Sequence, residues 1–214
     1  MLGPLLAFER QGLRTKGAAP LISFFAALGL GFMVIEIGLM QRLTLFIGDP
    51  TTALVVVLAG LLLFTGTGSW IAGRLGHAEA SNITIGTLCT AVLVPITLAA
   101  IHWMLPPLQT LPLFARAATV LTMVAPLGVL MGFPFASGIR YLGRETARFI
   151  PWAWGVNGLA SVIASVATII GAMRFGFDAM LLLGSALYAL GFVAFQLHMR
   201  SRKTTNAALT QLGY

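Results

Sequence analysis

Residues 20–42 read "PLISFFAALGLGFMVIEIGLMQR", with no charge before Glu36 and only one more, Arg42, at the far end. About 20 apolar residues are enough for a helix to cross the hydrocarbon of a bilayer. The apolar positions run on without the alternation that a barrel strand needs, so the stretch reads as a membrane helix. Five more stretches repeat the pattern, at roughly 51–73, 82–104, 113–140, 151–173 and 179–199. The links between them are short, some rich in proline or glycine, such as "PPLQTLP" at 106–112. The expected fold is therefore an all-α integral membrane protein with about six transmembrane helices. They form one domain over 20–200, between a basic tail at 1–19 and a second tail at 201–214.

Composition agrees. Of the 214 residues 58% are hydrophobic and 9% charged, and the mean hydropathy is +0.93. Soluble domains carry about 25% charged residues, so the expected location is a bilayer, as a multi-pass protein of the bacterial inner membrane. The net charge of +7 does not imply nucleic acid, because the basic residues lie between the apolar runs and at the ends. With the amino terminus cytoplasmic, the inner side collects Arg10, Arg14, Lys16, Arg74, Arg140, Arg144, Arg148, Arg200, Arg202 and Lys203. The outer side keeps Arg42, Arg116 and Arg174. That bias places both termini in the cytoplasm.

Little else in the composition points to chemistry. One cysteine, Cys89, rules out an intrachain disulfide and a multi-cysteine metal site. His77, His102 and His198 have no ligand spacing, and residues 1–19, "MLGPLLAFERQGLRTKGAA", lack the core and cleavage site of a signal peptide. No metal or cofactor is expected.

The fourth segment differs from the rest. "VAPLGVLMGFPFASGIR" (124–140) carries Pro126 and Pro134 among three glycines. Proline removes a helix hydrogen bond and clashes with the preceding turn, so a kinked or broken helix is expected. Broken helices expose backbone at transporter binding sites, whereas a simple kink only fits a neighbour.

Four phrases carry a family resemblance: "GLGFMVIEIGLMQRLTLFIGDP" (29–50), "LLLFTGTGSWIAGR" (61–74), "PLGVLMGFPFASGIR" (126–140) and "PWAWGVNGLASVIASV" (151–166). In this order they resemble the C-terminal membrane region of bacterial spermidine-synthase-like proteins, whose helices are fused to an aminopropyltransferase-like domain. That soluble domain is missing here, so the resemblance implies a membrane domain without catalysis of its own. Such a domain would anchor or serve a soluble aminopropyltransferase-like partner. A second likeness is to a six-helix half of major-facilitator transporters. "SWIAGRLGH" (69–77) is similar to their inner loop motif at Ala72, Arg74 and Gly76, but Ser69 and Gly73 depart from it and remove its charge pair.

Two groups of residues could carry function. Glu36 lies roughly 9 Å inside the outer end of the first helix, and an ionisable group within a span suggests function by default. With Gln41, Arg116 and Asn157 it forms the candidate intramembrane binding set. Glu36 is then a proton- or cation-binding carboxylate facing a cavity, or else a structural partner of Arg116. Asn157 needs a hydrogen-bond partner on another helix or on a substrate. The second group lies toward the cytoplasm. Arg74, Arg140, Arg144, Arg148, Trp152 and Trp154 are candidates for docking or lipid contact, the tryptophans as an interfacial belt. Gly158, Ser161, Ser165, Thr168 and Ala172 are expected to form a narrow packing face, as are Gly66, Gly68 and Gly73.

No nucleophile–base pair or carboxylate pair stands out, so no enzyme activity is expected of the chain alone. The alternative to the anchoring role is a transporter or half-transporter for a polyamine or other small cation, using Glu36. Expected partners are the lipid bilayer, a soluble aminopropyltransferase-like protein and, as a further option, a second copy in a homo-oligomer. Nucleic acid is not among them.

Overall fold

The computed structural model describes residues 18–75 and 79–211, with side chains as far as residue 202. Arg10, Arg14, Lys16, Gly76 and His77, and the side chain of Lys203, lie outside the described residues. Five long helices make up the fold: α1 (Ala18–Ile47), α2 (Pro50–Arg74), α3 (Glu79–Met104), α4 (Leu113–Glu145) and α5 (Ile150–Gln211). Short 3-10 turns at Pro106–Leu108 and Ala147–Phe149 precede α4 and α5. All five helices are long and apolar enough to cross a membrane. Large apolar side chains such as Leu63, Val162, Val166 and Ile170 stand exposed on the outside, a surface that suits lipid and not water. The chain is an all-helical, multi-pass membrane protein.

Local sequence explains the tight joint between α1 and α2. Gly48 takes φ +83°, a left-handed value that glycine adopts without strain, and its N–H closes on Thr44 O at 2.8 Å. Asp49 then caps α2 by accepting from Thr52 N at 2.7 Å, and Pro50 occupies the first turn, where no N–H is needed.

Of the kinked or broken helix expected in the fourth segment, the break is not found. The backbone of α4 stays helical through Pro126 and Pro134, because neighbouring helices in a bundle can hold a helix around a proline. The interruption lies instead in α5, at Gly176, where φ is +80° and ψ is +162°. A straight helix of 62 residues would reach about 93 Å, three times the hydrocarbon thickness. The chain instead folds back at Gly176, and both limbs pack against α1. Asn157 and Ser161 of the first limb meet Phe25 and Gly29. On the second limb, Leu181 meets Gly38, Tyr188 meets Gly31 and Phe195 meets Phe24. The opposite order of these contacts along α1 makes the limbs antiparallel.

The helices fall into two groups, α1 with the two limbs of α5, and α4 with α2 and α3. Within the second group the backbones approach closely. A Cβ on Gly68 would strike Val129 O, one on Gly132 would strike Thr65 O, and Ser69 Oγ donates to Gly132 O at 2.9 Å. Small residues make this approach possible. Of the three glycines expected to pack in the second helix, only Gly68 does so, since Gly66 faces open space and Gly73 is exposed. In the fifth segment Gly158 likewise faces open space. The buried stripe there runs through Ala160, Ala164, Thr168 and Ala172, with Ser161 and Ser165 half-buried. On the far side the groups are joined by α3, which packs on α5 and accepts a bond from Ser185 Oγ at Ala91 O, 2.6 Å away. Contact between α4 and α5 is slight.

Candidate functional site

Glu36 is buried, with 8% of its surface exposed. It lies one turn beyond Phe32 on α1. No hydrogen bond or ion pair reaches it from any described residue. The expected structural partner does not supply one. Arg116 Nη1 donates instead to Phe46 O at 3.0 Å, closing an open carbonyl at the end of α1.

The four other described acids all have partners. Asp49 caps α2. Asp178, two residues past the fold-back, binds Arg42 through two contacts, Nε–Oδ1 at 2.6 Å and Nη2–Oδ2 at 2.9 Å. His102 of α3 joins this cluster, its Nε2 2.9 Å from Arg42 Nη2 and 3.4 Å from Asp178 Oδ2. Its Nδ1 lies 3.1 Å from Leu98 O, which fixes Nδ1 as donor and leaves Nε2 to accept from the arginine. At the opposite end buried Glu79 pairs with Arg144 at 3.1 Å, and Glu145 pairs with Arg202 at 2.5 Å. Arg202 also donates to Tyr141 OH, 3.1 Å away, and that hydroxyl lies 3.3 Å from His198 Nε2. Asp178, His102, Glu79 and Glu145 were not singled out from the sequence. Matching opposite charges at equal depth on different segments would have found the Arg42–Asp178 pair.

The arginine-rich end is only partly available for docking. Arg144 is held by Glu79, and Arg140 donates to Ser137 Oγ at 3.0 Å. Arg74 is exposed and stacks on Trp70, 4.0 Å from the ring centre, and Arg148 is exposed in the turn Ala147–Phe149. The two tryptophans part company. Trp154 is 58% exposed and sits edge-on to Phe135, as a belt residue can. Trp152 is only 4% exposed and belongs to the core, so its expected place in the belt is corrected. Positions two apart on a helix point about 200° apart, so only one of the pair can face outward.

A cavity of about 230 Å³ opens along the seam between the two helix groups. It is lined by Leu28 and Phe32 of α1, Thr65 and Ser69 of α2, and Met131, Gly132 and Phe135 of α4. Asn157 and Ser161 from the first limb of α5 and Tyr188 from the second complete it. The sequence-predicted Asn157 is therefore at a cavity, donating through Nδ2 to Phe25 O at 3.2 Å. Gln41 is not part of it; it lies exposed on α1 beside a recess at the Gly176 fold-back. Glu36 and Asn157 do not form one compact site, since Asn157 meets α1 at Phe25 and Gly29, roughly 10 Å or more along the helix from Glu36. Among the described residues no group of three or more His, Cys, Asp or Glu is gathered as for a metal ion. Comparison with family models, with curated proteins and with solved structures gives no match.

Proposed function

We infer that this chain is a six-pass protein of the bacterial inner membrane, both termini cytoplasmic, that binds a small cation or a proton at Glu36. It would act as a transporter or half-transporter. The six-pass reading is supported by the fold-back at Gly176, which divides α5 into two antiparallel limbs. The orientation is supported by the arginines, which gather at the end holding Arg74, Arg144 and Arg202. The observation that carries the function is the one unanswered acid. An ion inside a membrane bundle is expensive unless something pairs with it. This fold pairs four of its five described acids and leaves Glu36 buried without a partner among the described residues. A bound cation or proton supplies what the protein does not.

The test is uptake of radiolabelled spermidine and of methylammonium into liposomes carrying the purified protein. Uptake of at least one is expected, falling tenfold or more in Glu36→Gln without loss of folded protein. Equal uptake by wild type and Glu36→Gln, or by empty liposomes, would sink the reading.

The sequence resemblance favours a second, compatible reading, in which the bundle anchors an aminopropyltransferase-like enzyme. Arg74 and Arg148 are exposed at one end of the bundle, where a soluble partner would seat. Gentle extraction from the native membrane should then bring down a stoichiometric soluble partner that Arg74→Gln and Arg148→Gln together release. A protein that purifies alone removes this reading.

A further inference from the structure

The seam cavity has a donor–acceptor balance of its own, separate from Glu36. Ser69 Oγ gives its proton to Gly132 O at 2.9 Å. Ser161 Oγ lies 2.9 Å from Asn157 O and 3.3 Å from Gly29 O. Asn157 Nδ2 is taken by Phe25 O. Each of these groups gives a proton to a backbone carbonyl, and Asn157 keeps one further Nδ2–H. What remains beside that N–H is mostly acceptor capacity, the hydroxyl lone pairs and Asn157 Oδ1, which has no partner among the described residues. Tyr188 completes the picture. It is 1% exposed and lines the cavity, yet its hydroxyl makes no hydrogen bond to any described residue. A buried hydroxyl without a partner is costly, so this one is set for a partner that the chain does not provide.

No charged side chain lines the cavity, and the rest of the wall is apolar, with the rings of Phe32 and Phe135 beside Tyr188. An ion would be bare there, whereas a neutral molecule would not. Size narrows the class. An apolar cavity of about 150 Å³ takes one benzene, so about 230 Å³ takes a body of roughly nine or ten heavy atoms by the same scale. We propose that the seam cavity is a binding site for a small neutral molecule, with a flat apolar body of this size and an N–H or O–H group that donates to Asn157 Oδ1 and meets the Tyr188 hydroxyl. The site is independent of cation binding at Glu36.

The experiment uses 5-fluoroindole as the probe, followed by ¹⁹F NMR with the full chain in nanodiscs and empty nanodiscs as reference. A saturable shift is expected with the protein alone, reversed by phenol and not by butylammonium or benzoate. Tyr188→Phe removes one hydroxyl and keeps the shape, and should weaken binding about three- to tenfold, the worth of one hydrogen bond. Asn157→Leu should weaken it further, and Glu36→Gln should leave it unchanged, even if that variant has lost uptake. Thermal melts check that each variant is folded. No saturable shift beyond empty nanodiscs overturns the proposal. Binding untouched by both Tyr188→Phe and Asn157→Leu also overturns it, and so does displacement by butylammonium at lower concentration than by phenol. Loss of binding in Glu36→Gln would overturn the neutral class, because the ligand would then depend on the carboxylate.

Discussion

Asp178 stands at the Gly176 end of the bundle with three nitrogen atoms around it, two from Arg42 and one from His102. Glu36 lies on α1 about 9 Å deeper than Arg42, and no described residue answers it. Arg42 could not have served both acids. Six residues along a helix is a turn and two thirds, so Arg42 leaves α1 on a different face from Glu36 and meets the second limb of α5 just after it folds back. The arginine thereby closes the hinge and leaves the deeper acid alone. A charge at a helix end, within reach of water, can afford a network; a charge in the middle of a span has only what the bundle places opposite it. The difference sets Asp178, an acid held in a network, apart from Glu36, an acid for which no described residue supplies a partner.

That contrast can be broken from either side. The largest effect on stability is expected from Arg42→Met, which leaves Asp178 beside only a weakly placed His102. Charged hydrogen bonds contribute roughly 1.5–3 kcal/mol each way, and the pair is partly exposed, with side-chain exposures of 25% and 40%. A loss of about 2 kcal/mol is expected in unfolding titrations in bicelles. Asp178→Asn added to Arg42→Met should cost little more, giving a coupling energy above about 1 kcal/mol. Purely additive losses would mean that the pair does not clasp the hinge.

Glu36 should respond with the opposite sign. Glu36→Leu removes a buried polar group that has no partner and is expected to stabilise the bundle by about 1–2 kcal/mol, while abolishing the uptake proposed for wild type. Gains in stability with loss of activity are the usual sign of a site strained for function. If Glu36→Leu destabilises instead, the carboxylate has a structural partner and the contrast with Asp178 disappears.

His102 sharpens the comparison on a smaller scale. Its ring joins Arg42 to the end of α3 at an exposed position, so His102→Ala should cost about 0.5–1 kcal/mol. That loss should shrink to near zero in the Arg42→Met background. A full loss in that background would place the role of His102 in packing rather than in the cluster.

Much of the architecture was legible because membrane helices are written in long apolar runs. The runs read at 20–42, 51–73, 82–104 and 113–140 fall on α1 to α4, and the last two both fall within α5, on either side of Gly176. The sites were less legible, for two physical reasons. Pro126 and Pro134 drew attention as helix breakers, but the close approach of α2 at Gly68, Gly128 and Gly132 keeps α4 helical around them. Gly176, a single residue with no such reputation, made the turn. Pairing across helices is also invisible to local pattern. Glu79–Arg144 and Arg42–Asp178 join residues 65 and 136 positions apart, and Tyr188 reaches the cavity from the last limb. Asn157 could be picked out as an amide needing a partner, but nothing along the chain ties it to Tyr188 and Phe32.

Asp49 offers the smallest and most local test, as the exposed counterpart to buried Glu36 and half-buried Asp178. Hydrogen bonding from Thr52, side chain first and backbone N–H second, holds its carboxyl below the usual carboxylate range. A folded-state value below the unfolded one, about 3.9, means that the charged cap stabilises α2 fully above that pH. The contribution is lost as pH falls through the folded value. Asp49→Asn keeps a capping side chain but has no charge to favour the positive end of the helix dipole. Wild type should therefore be slightly the more stable at pH 6, and the difference should vanish by about pH 2, below both carboxyl values. Comparing the two proteins at each pH cancels the titration of the remaining acids. A difference that persists at low pH would mean that Asp49 acts through its shape, and that of the acids at this end only Asp178 contributes by its charge.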